Sequence, residues 1–361
     1  DILIIGDTIG SGTTVHGIQI GSGSVVSSTG SAQVTLDGTS SNAAGGDGVS
    51  IDATNTEVVS VNGTITIDGT SSNLNGVSLT GTATIDAAGI VSDVILNTDT
   101  IDIAGTATIQ GTGDLIIEPQ TAGTSIGLGN GSSGTLNLSA AELGSLADGF
   151  TKIIIGDATS GTGAIDVNAS TFTDPVTIVG GAIAVTGLDA GSDAVTLTAR
   201  TGAITDGGDS GTDVTGGAVT LQTLDATTGD IGASGDAISL AATSLTTDSS
   251  ASGDDQFLSE VGSVSVTSVD VGVGTLEISG GEFDLTTEAI ANTSSVSVES
   301  AATLDINGVT DTFDALSIAS AGIVSGAGTV AANVSGAAGS AITSGGTLNL
   351  GNAASSTGFA T

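Results

Sequence analysis

Six residues return unchanged thirty-one positions later, as Asp37-Gly38-Thr39-Ser40-Ser41-Asn42 and again as Asp68-Gly69-Thr70-Ser71-Ser72-Asn73. Gly17-Ile18-Gln19-Ile20, Gly48-Val49-Ser50-Ile51 and Gly76-Val77-Ser78-Leu79 keep nearly the same step, at intervals of 31 and 28 residues. A period in this range means that each unit buries its apolar side only by stacking on the next. Within each unit the pattern has period two. Val34-Thr35-Leu36, Ile65-Thr66-Ile67, Ala83-Thr84-Ile85 and Val195-Thr196-Leu197 set an apolar residue against an outward Thr, which is the signature of a half-buried strand. Most runs end at Gly, Asp, Asn or Ser, which tolerate turns. Pro occurs only at Pro119 and Pro175, so strand interiors are almost free of it.

Short strands at this repeat length make a propeller or a solenoid. Propeller blades carry four strands with aromatic or Trp-Asp signatures, whereas this chain has no Trp or Tyr and six scattered Phe residues. A parallel β-helix suits it better, because its narrow interior takes ladders of Val, Ile, Leu and Ala. The fold class predicted is all-β, a single parallel β-solenoid over 1–361. Coils of about 20–32 residues, averaging about 30, give roughly 12 of them. Residues 1–113 hold the regular 28–31-residue repeats, 114–266 hold longer loops, and 267–361 hold looser repeats with a Ser/Ala/Gly-rich tail. Ser139-Ala140-Ala141-Glu142 has the spacing of a capping box. With Leu143 and Leu146 behind it and Gly149 as a stop, it predicts one short helix near 140–148. The Phe residues, Phe150, Phe172, Phe257, Phe283, Phe313 and Phe359, read as core or end plugs.

Charge narrows the function. Against 39 acidic residues the chain sets only Lys152 and Arg200, for a net charge of −37. Two cations cannot neutralise a phosphate backbone or hold an anionic membrane, so neither nucleic acid nor membrane insertion is expected. No run of about 18 apolar residues is available to span a bilayer. Disorder is not expected either, because hydrophobic residues make up 38% and mean hydropathy is +0.40, too apolar for an acidic unfolded segment. The absence of Cys removes disulfides and thiolate metal sites. His16 is the one imidazole. It has no credible nucleophile beside it, since Ser11, Thr13 and Thr14 read as turn residues. No enzyme activity is expected, and no cofactor is required.

One apolar and glycine pattern runs through Leu115, Ile117, Pro119, Ile126, Gly127, Leu128, Leu136, Leu138, Glu142, Leu143, Gly149, Phe150, Ile153, Ile155 and Gly156. It continues through Phe172 and Pro175 into Gly202-Ala203-Ile204-Thr205-Asp206 and Asp230-Ile231-Gly232-Ala233. In this pattern residues 114–266 resemble the large secreted exoproteins of the filamentous-haemagglutinin type. The resemblance implies a right-handed parallel β-helix and export to the cell surface.

Three features are candidates for function. Asp206, Asp209 and Asp213 sit on a Gly-rich stretch with free carbonyls, which suits a hard cation such as Ca²⁺. Asp254 and Asp255 form a lesser candidate, and solvated turn residues are the alternative for both groups. If coils stack in register, Asp37 lies over Asp68, a like-charge pair that must splay, accept N–H bonds or share a cation. Asn42 and Asn73 are instead expected to form a short hydrogen-bonded ladder at one corner. Ile2, Leu3, Ile4 and Ile5 at one end, and Leu348 and Leu350 near the other, read as apolar strands rather than caps. Open solenoid edges are templates for further strands. The expected role is therefore an extracellular structural protein, a rod segment of a surface adhesin or filament. Its partners would be copies of itself or the rest of a longer chain. The alternative is an adhesin module binding a surface glycan or receptor through loops such as 206–216 and 248–256. The acidity also suits a protein kept hydrated at high salt.

Overall fold

The alternating segments form parallel strands stacked coil upon coil, the all-β solenoid class expected from the sequence. The computed structural model describes residues 1–10, 14–89, 92–251, 253–343 and 348–350. Ser11, Thr13, Thr347 and Phe359 lie outside the described residues, as do the side chains of Leu348 and Leu350. The chain divides into two compact units, Asp1–Gly180 and Gly181–Thr361.

In the first unit the coil has three faces. Ile2–Thr8, Val34–Ser40, Ile65–Ser71, Val94–Thr98, Asp114–Glu118, Lys152–Ile155 and Val176–Gly180 stack on one of them. Ile18–Ile20, Val49–Ile51, Val77–Leu79 and Ile101–Ile103 stack on the second. Val25–Ser28, Thr54–Ser60, Thr82–Ala87 and Thr108–Gly111 stack on the third. The sequence repeat is the register: Val34 pairs with Ile65, Leu36 with Ile67 and Asp37 with Asp68. The inward members of these columns, Val34, Leu36, Ile65, Ile67, Val94 and Leu96, are fully buried.

The repeated glycines have a role beyond turns. Gly38 and Gly69 are buried inside strands, where they pass directly against Gly48 and Gly76 at the start of the neighbouring face. A Cβ on Gly48 would lie 2.6 Å from the Gly76 carbonyl oxygen and 2.7 Å from that of Gly38. Two faces meet there backbone to backbone, a separation that only glycine permits.

One rung is out of chain order. Ile126–Gly129 pairs with Leu136–Leu138 on one side and with Ile165–Asn168 on the other. Leu136–Leu138 in turn packs beside Ile101–Ile103. The chain occupies the farther rung first and then drops back to fill the nearer one. This detour lengthens one coil to the 38 residues between the paired Leu115 and Ile153.

The short helix lies inside this detour, at Ala140–Leu143. Its capping box is present: Ser139 Oγ accepts the Glu142 N–H, and Glu142 Oε2 accepts the Ser139 N–H at 2.8 Å. Glu142 Oε1 also accepts the Ile103 N–H at 3.0 Å, tying the helix to the preceding coil. The stop is Gly144 in a right-handed conformation, not Gly149. Gly149 lies farther on, at φ 132°, where its N–H donates to Asp174 Oδ1.

In the second unit the coil shortens. Leu276 pairs with Val296 and Val296 with Leu316, steps of 20 residues, and Leu316 pairs with Val334 after 18. Long strands such as Gln256–Asp270 carry pairing around a corner through register shifts instead of loops. Each coil therefore needs fewer residues, and the rungs of the two units outnumber the twelve that a uniform coil of about 30 residues gives. Phe150, Phe172, Phe283 and Phe313 are buried, and Phe257 is half-buried.

The two cationic residues provide a proteolytic check. Lys152 opens a strand paired on both sides, whereas Arg200 lies in a bend followed by exposed Thr201. Limited trypsin digestion of the native chain is expected to cut after Arg200 and to spare Lys152. Rapid cleavage at Lys152 would contradict the pairing of Lys152–Ile155.

Candidate cation site

The second unit brings the three predicted aspartates together. Asp206 closes the strand Ile204–Asp206, and Asp213 immediately precedes Val214–Thr223. The backbone of Asp213 is held between two coils, its carbonyl accepting the Leu188 N–H at 2.7 Å and its N–H donating to Ser239 at 2.9 Å. Its side chain is 0% exposed. Asp206 Oδ1 accepts the Gly208 N–H at 2.8 Å, and Gly208 at φ 93° lets the loop fold back. One carboxylate oxygen from each of Asp206, Asp209 and Asp213 lies within 4.8 Å of the other two.

Burial pushes the Asp213 carboxyl up to about 7; the Ser239 N–H opposes the shift, and the charges of Asp206 and Asp209 add to it. Asp236, which local spacing does not single out, arrives from the next coil. The Asp206 carboxyl lies against its own, and that contact, with the negative charge of Asp206, holds it above the usual carboxylate range. A groove lined by Asp206, Asp209, Asp236, Ser239, Ser259 and Glu277 runs from this cluster across successive coils.

The lesser pair, Asp254 and Asp255, is committed to the backbone instead. Asp254 Oδ2 accepts the Gly229 N–H, and Asp255 Oδ1 accepts the Thr275 N–H at 2.7 Å. Asp255 N–H donates in turn to Asp230 Oδ1 at 3.0 Å. A second three-carboxylate group, Glu282, Asp284 and Asp305, was missed by local motif reading. It forms because Asp284 pairs with Asp305 in register. The coil spacing that aligns Phe283-Asp284-Leu285 with Leu304-Asp305-Ile306 is the signal that finds it.

In the first unit Asp37 does stack on Asp68, and Asp68 on Asn97. Asn97 Nδ2 donates to Asp68 Oδ1, so an amide interrupts the like-charge column. Glu118 follows Asn97 in the same column. Burial, then the charges of Asp157 and Asp68, hold its carboxyl above the usual range. The expected Asn42–Asn73 link takes a different form from an amide stack. Asn73 Nδ2 donates to the Asn42 backbone carbonyl at 2.9 Å, while Asn42 Oδ1 accepts the Ala44 N–H in a local turn. His16 Nδ1 accepts the Asp47 N–H at 3.0 Å and lies 3.2 Å from Asp47 Oδ2, anchoring its loop to the next coil.

Comparison with protein-family models, with curated proteins and with solved structures gives no match. No helix among the described residues is long and apolar enough to cross a membrane.

Proposed function

We propose that the chain is a solenoid segment of an extracellular structural protein, part of a surface adhesin or of a filament extended by strand addition. The observation that carries this reading is the parallel stack itself, strand on strand in register from Ile2–Thr8 through Val34–Ser40 to Ile65–Ser71 in the first unit, and from Leu276 through Val296 to Leu316 in the second. Ile2 and Ile4 continue the columns of Val34 and Leu36. Each rung presents the same pairing groups as the last, so one rung is a template for the next. The repeating Thr columns on the outward side, such as Thr196, Thr220 and Thr246, suit a surface that recurs from coil to coil. The likeness of residues 114–266 to secreted exoproteins supports the cell-surface location.

Negative-stain microscopy tests the assembly, and immunogold labelling of the source cells tests the location. Fibres or laterally uniform oligomers that disappear in an Ile4→Asp variant are expected, because that change places a charge in the apolar column that Ile4 forms with Leu36. Strictly monodisperse particles at high concentration would remove self-assembly from the proposal, and labelling confined to the cell interior would remove the surface role.

A further inference from the structure

Asp213 is short of hydrogen-bond donors whenever it is ionised. Its Oδ2 accepts the Ser239 N–H at 2.7 Å, but Oδ1 is buried with no protein N–H or O–H to accept, and the Asp206 carboxyl beside Asp213 offers a donor only when a proton is shared between the two. The charges bearing on this carboxyl are those of Asp206 and Asp209, and both are negative. A carboxylate removed from water is tolerated when it is paired or bound to a metal, and otherwise takes up a proton.

The spacing of the three carboxylates indicates what completes the site. Ca²⁺ holds its oxygens at about 2.3–2.6 Å, so ligands on opposite sides of one ion are about 4.6–5.2 Å apart. Oxygens of Asp206, Asp209 and Asp213 that all lie within 4.8 Å of one another can touch a single ion. The donors are hard oxygens without nitrogen or sulfur, which selects against Zn²⁺ and copper. One ligand, Asp213, is fixed by its backbone between two coils, and another, Asp209, is on an exposed loop. Such an uneven set fits the flexible coordination of Ca²⁺ better than the strict octahedron of Mg²⁺.

We infer that Asp206, Asp209 and Asp213 bind one Ca²⁺ ion, with Asp236 from the following coil beside it, so that the ion staples neighbouring coils of the second unit. This inference does not rest on the structural role proposed above. The group Glu282, Asp284 and Asp305 has half-exposed side chains and no buried oxygen without a partner, and it serves as the internal control.

The test is calorimetric titration of CaCl₂ into the full chain stripped with chelator. It is paired with melting curves in CaCl₂ and in NaCl of matched ionic strength. One saturable site per chain is expected, with a dissociation constant of about 10⁻⁴–10⁻³ M, the range of extracellular modules. The melting midpoint should rise in CaCl₂ beyond its value in NaCl. Asp209→Asn changes an exposed side chain and leaves folding intact; it should weaken binding at least about tenfold, and Asp213→Asn should abolish it. Glu282→Gln should leave binding unchanged, and MgCl₂ should bind at least about tenfold more weakly. Absence of saturable binding together with superimposable melting curves would overturn the inference. So would binding that survives Asp209→Asn, or binding that is lost in Glu282→Gln. Equal affinity for Mg²⁺ would overturn the choice of ion.

Discussion

Lowering the pH from 8 to 5, in chelator and at constant ionic strength, is expected to raise the melting midpoint by about 5–10 °C. Most proteins lose stability in acid because their carboxylates are stabilised by the fold. Here burial acts the other way at most of the shifted sites. Asp311 is fully buried, and burial raises its carboxyl despite N–H bonds from Ile290, Thr312 and Ala289. Burial likewise raises Glu260, against the N–H groups of Gly262, Ala242 and Val261. Asp213 is raised from 3.8 to about 7. Asp102, Glu118, Glu277 and Asp284 shift in the same direction, each chiefly through burial.

A raised carboxyl binds its proton in the folded state at a pH where the unfolded chain has already released it. Between the two values the folded state holds more protons, so stability falls as pH rises. For Asp213 the window runs from 3.8 to about 7, and its contribution is on the order of a few kcal/mol. The opposing groups are few. In Asp99, hydrogen bonds from Thr121 and Thr124 overcome the effect of burial, and in Asp248 those of Ser250 and Gln222 do so. Their stabilisation is present above the unfolded value of 3.8 and disappears only as pH falls through their lower folded values, outside the tested interval. Scanning calorimetry at pH 5 and pH 8 measures the difference, and Asp311→Asn should reduce it. A midpoint that falls between pH 8 and pH 5 would show these carboxyls to be ionised and paired.

What could be read from the chain depended on whether the determining contact was local. The alternation that buries Val34 and Leu36 and leaves Thr35 half-exposed acts between adjacent residues, so strands were legible. The six-residue repeat gave the register of Asp37 on Asp68 because both strands kept the same spacing. Ser139 and Glu142 cap a helix through bonds three residues apart, and Asp206, Asp209 and Asp213 lie within one turn-rich segment. The reversed order of Ile126–Gly129 and Leu136–Leu138 left no local mark, since either order satisfies the same apolar columns. Asp236 reaches Asp206, and Asp305 reaches Asp284, only through the step between coils. That step changes along the chain, so a single period could not place them.

The glycine contacts lead to the second large effect, which a turn-based reading of the repeat does not foresee. Gly48→Ala is expected to destabilise the first unit by about 3 kcal/mol and to lower its melting midpoint by about 6–12 °C. The added methyl would meet the carbonyl oxygens of Gly76 at 2.6 Å and Gly38 at 2.7 Å. Neither is the end of a flexible side chain. Gly76 is fixed by the bond from the Val49 N–H to its carbonyl at 2.8 Å, and Gly38 is fixed by its place in a strand paired on both sides. Relief therefore requires the two faces to separate, which disrupts the Val49–Val77 and Asp37–Asp68 registers together. Gly105→Ala is the control, because a Cβ there meets nothing within 4 Å. It should be neutral or stabilising by up to about 1 kcal/mol through the unfolded chain. Parallel melts of the two variants separate close packing from the general cost of changing a glycine. Equal midpoints would mean that the faces can move apart at Gly48 without loss, and that Gly17, Gly48 and Gly76 recur for their turn geometry alone.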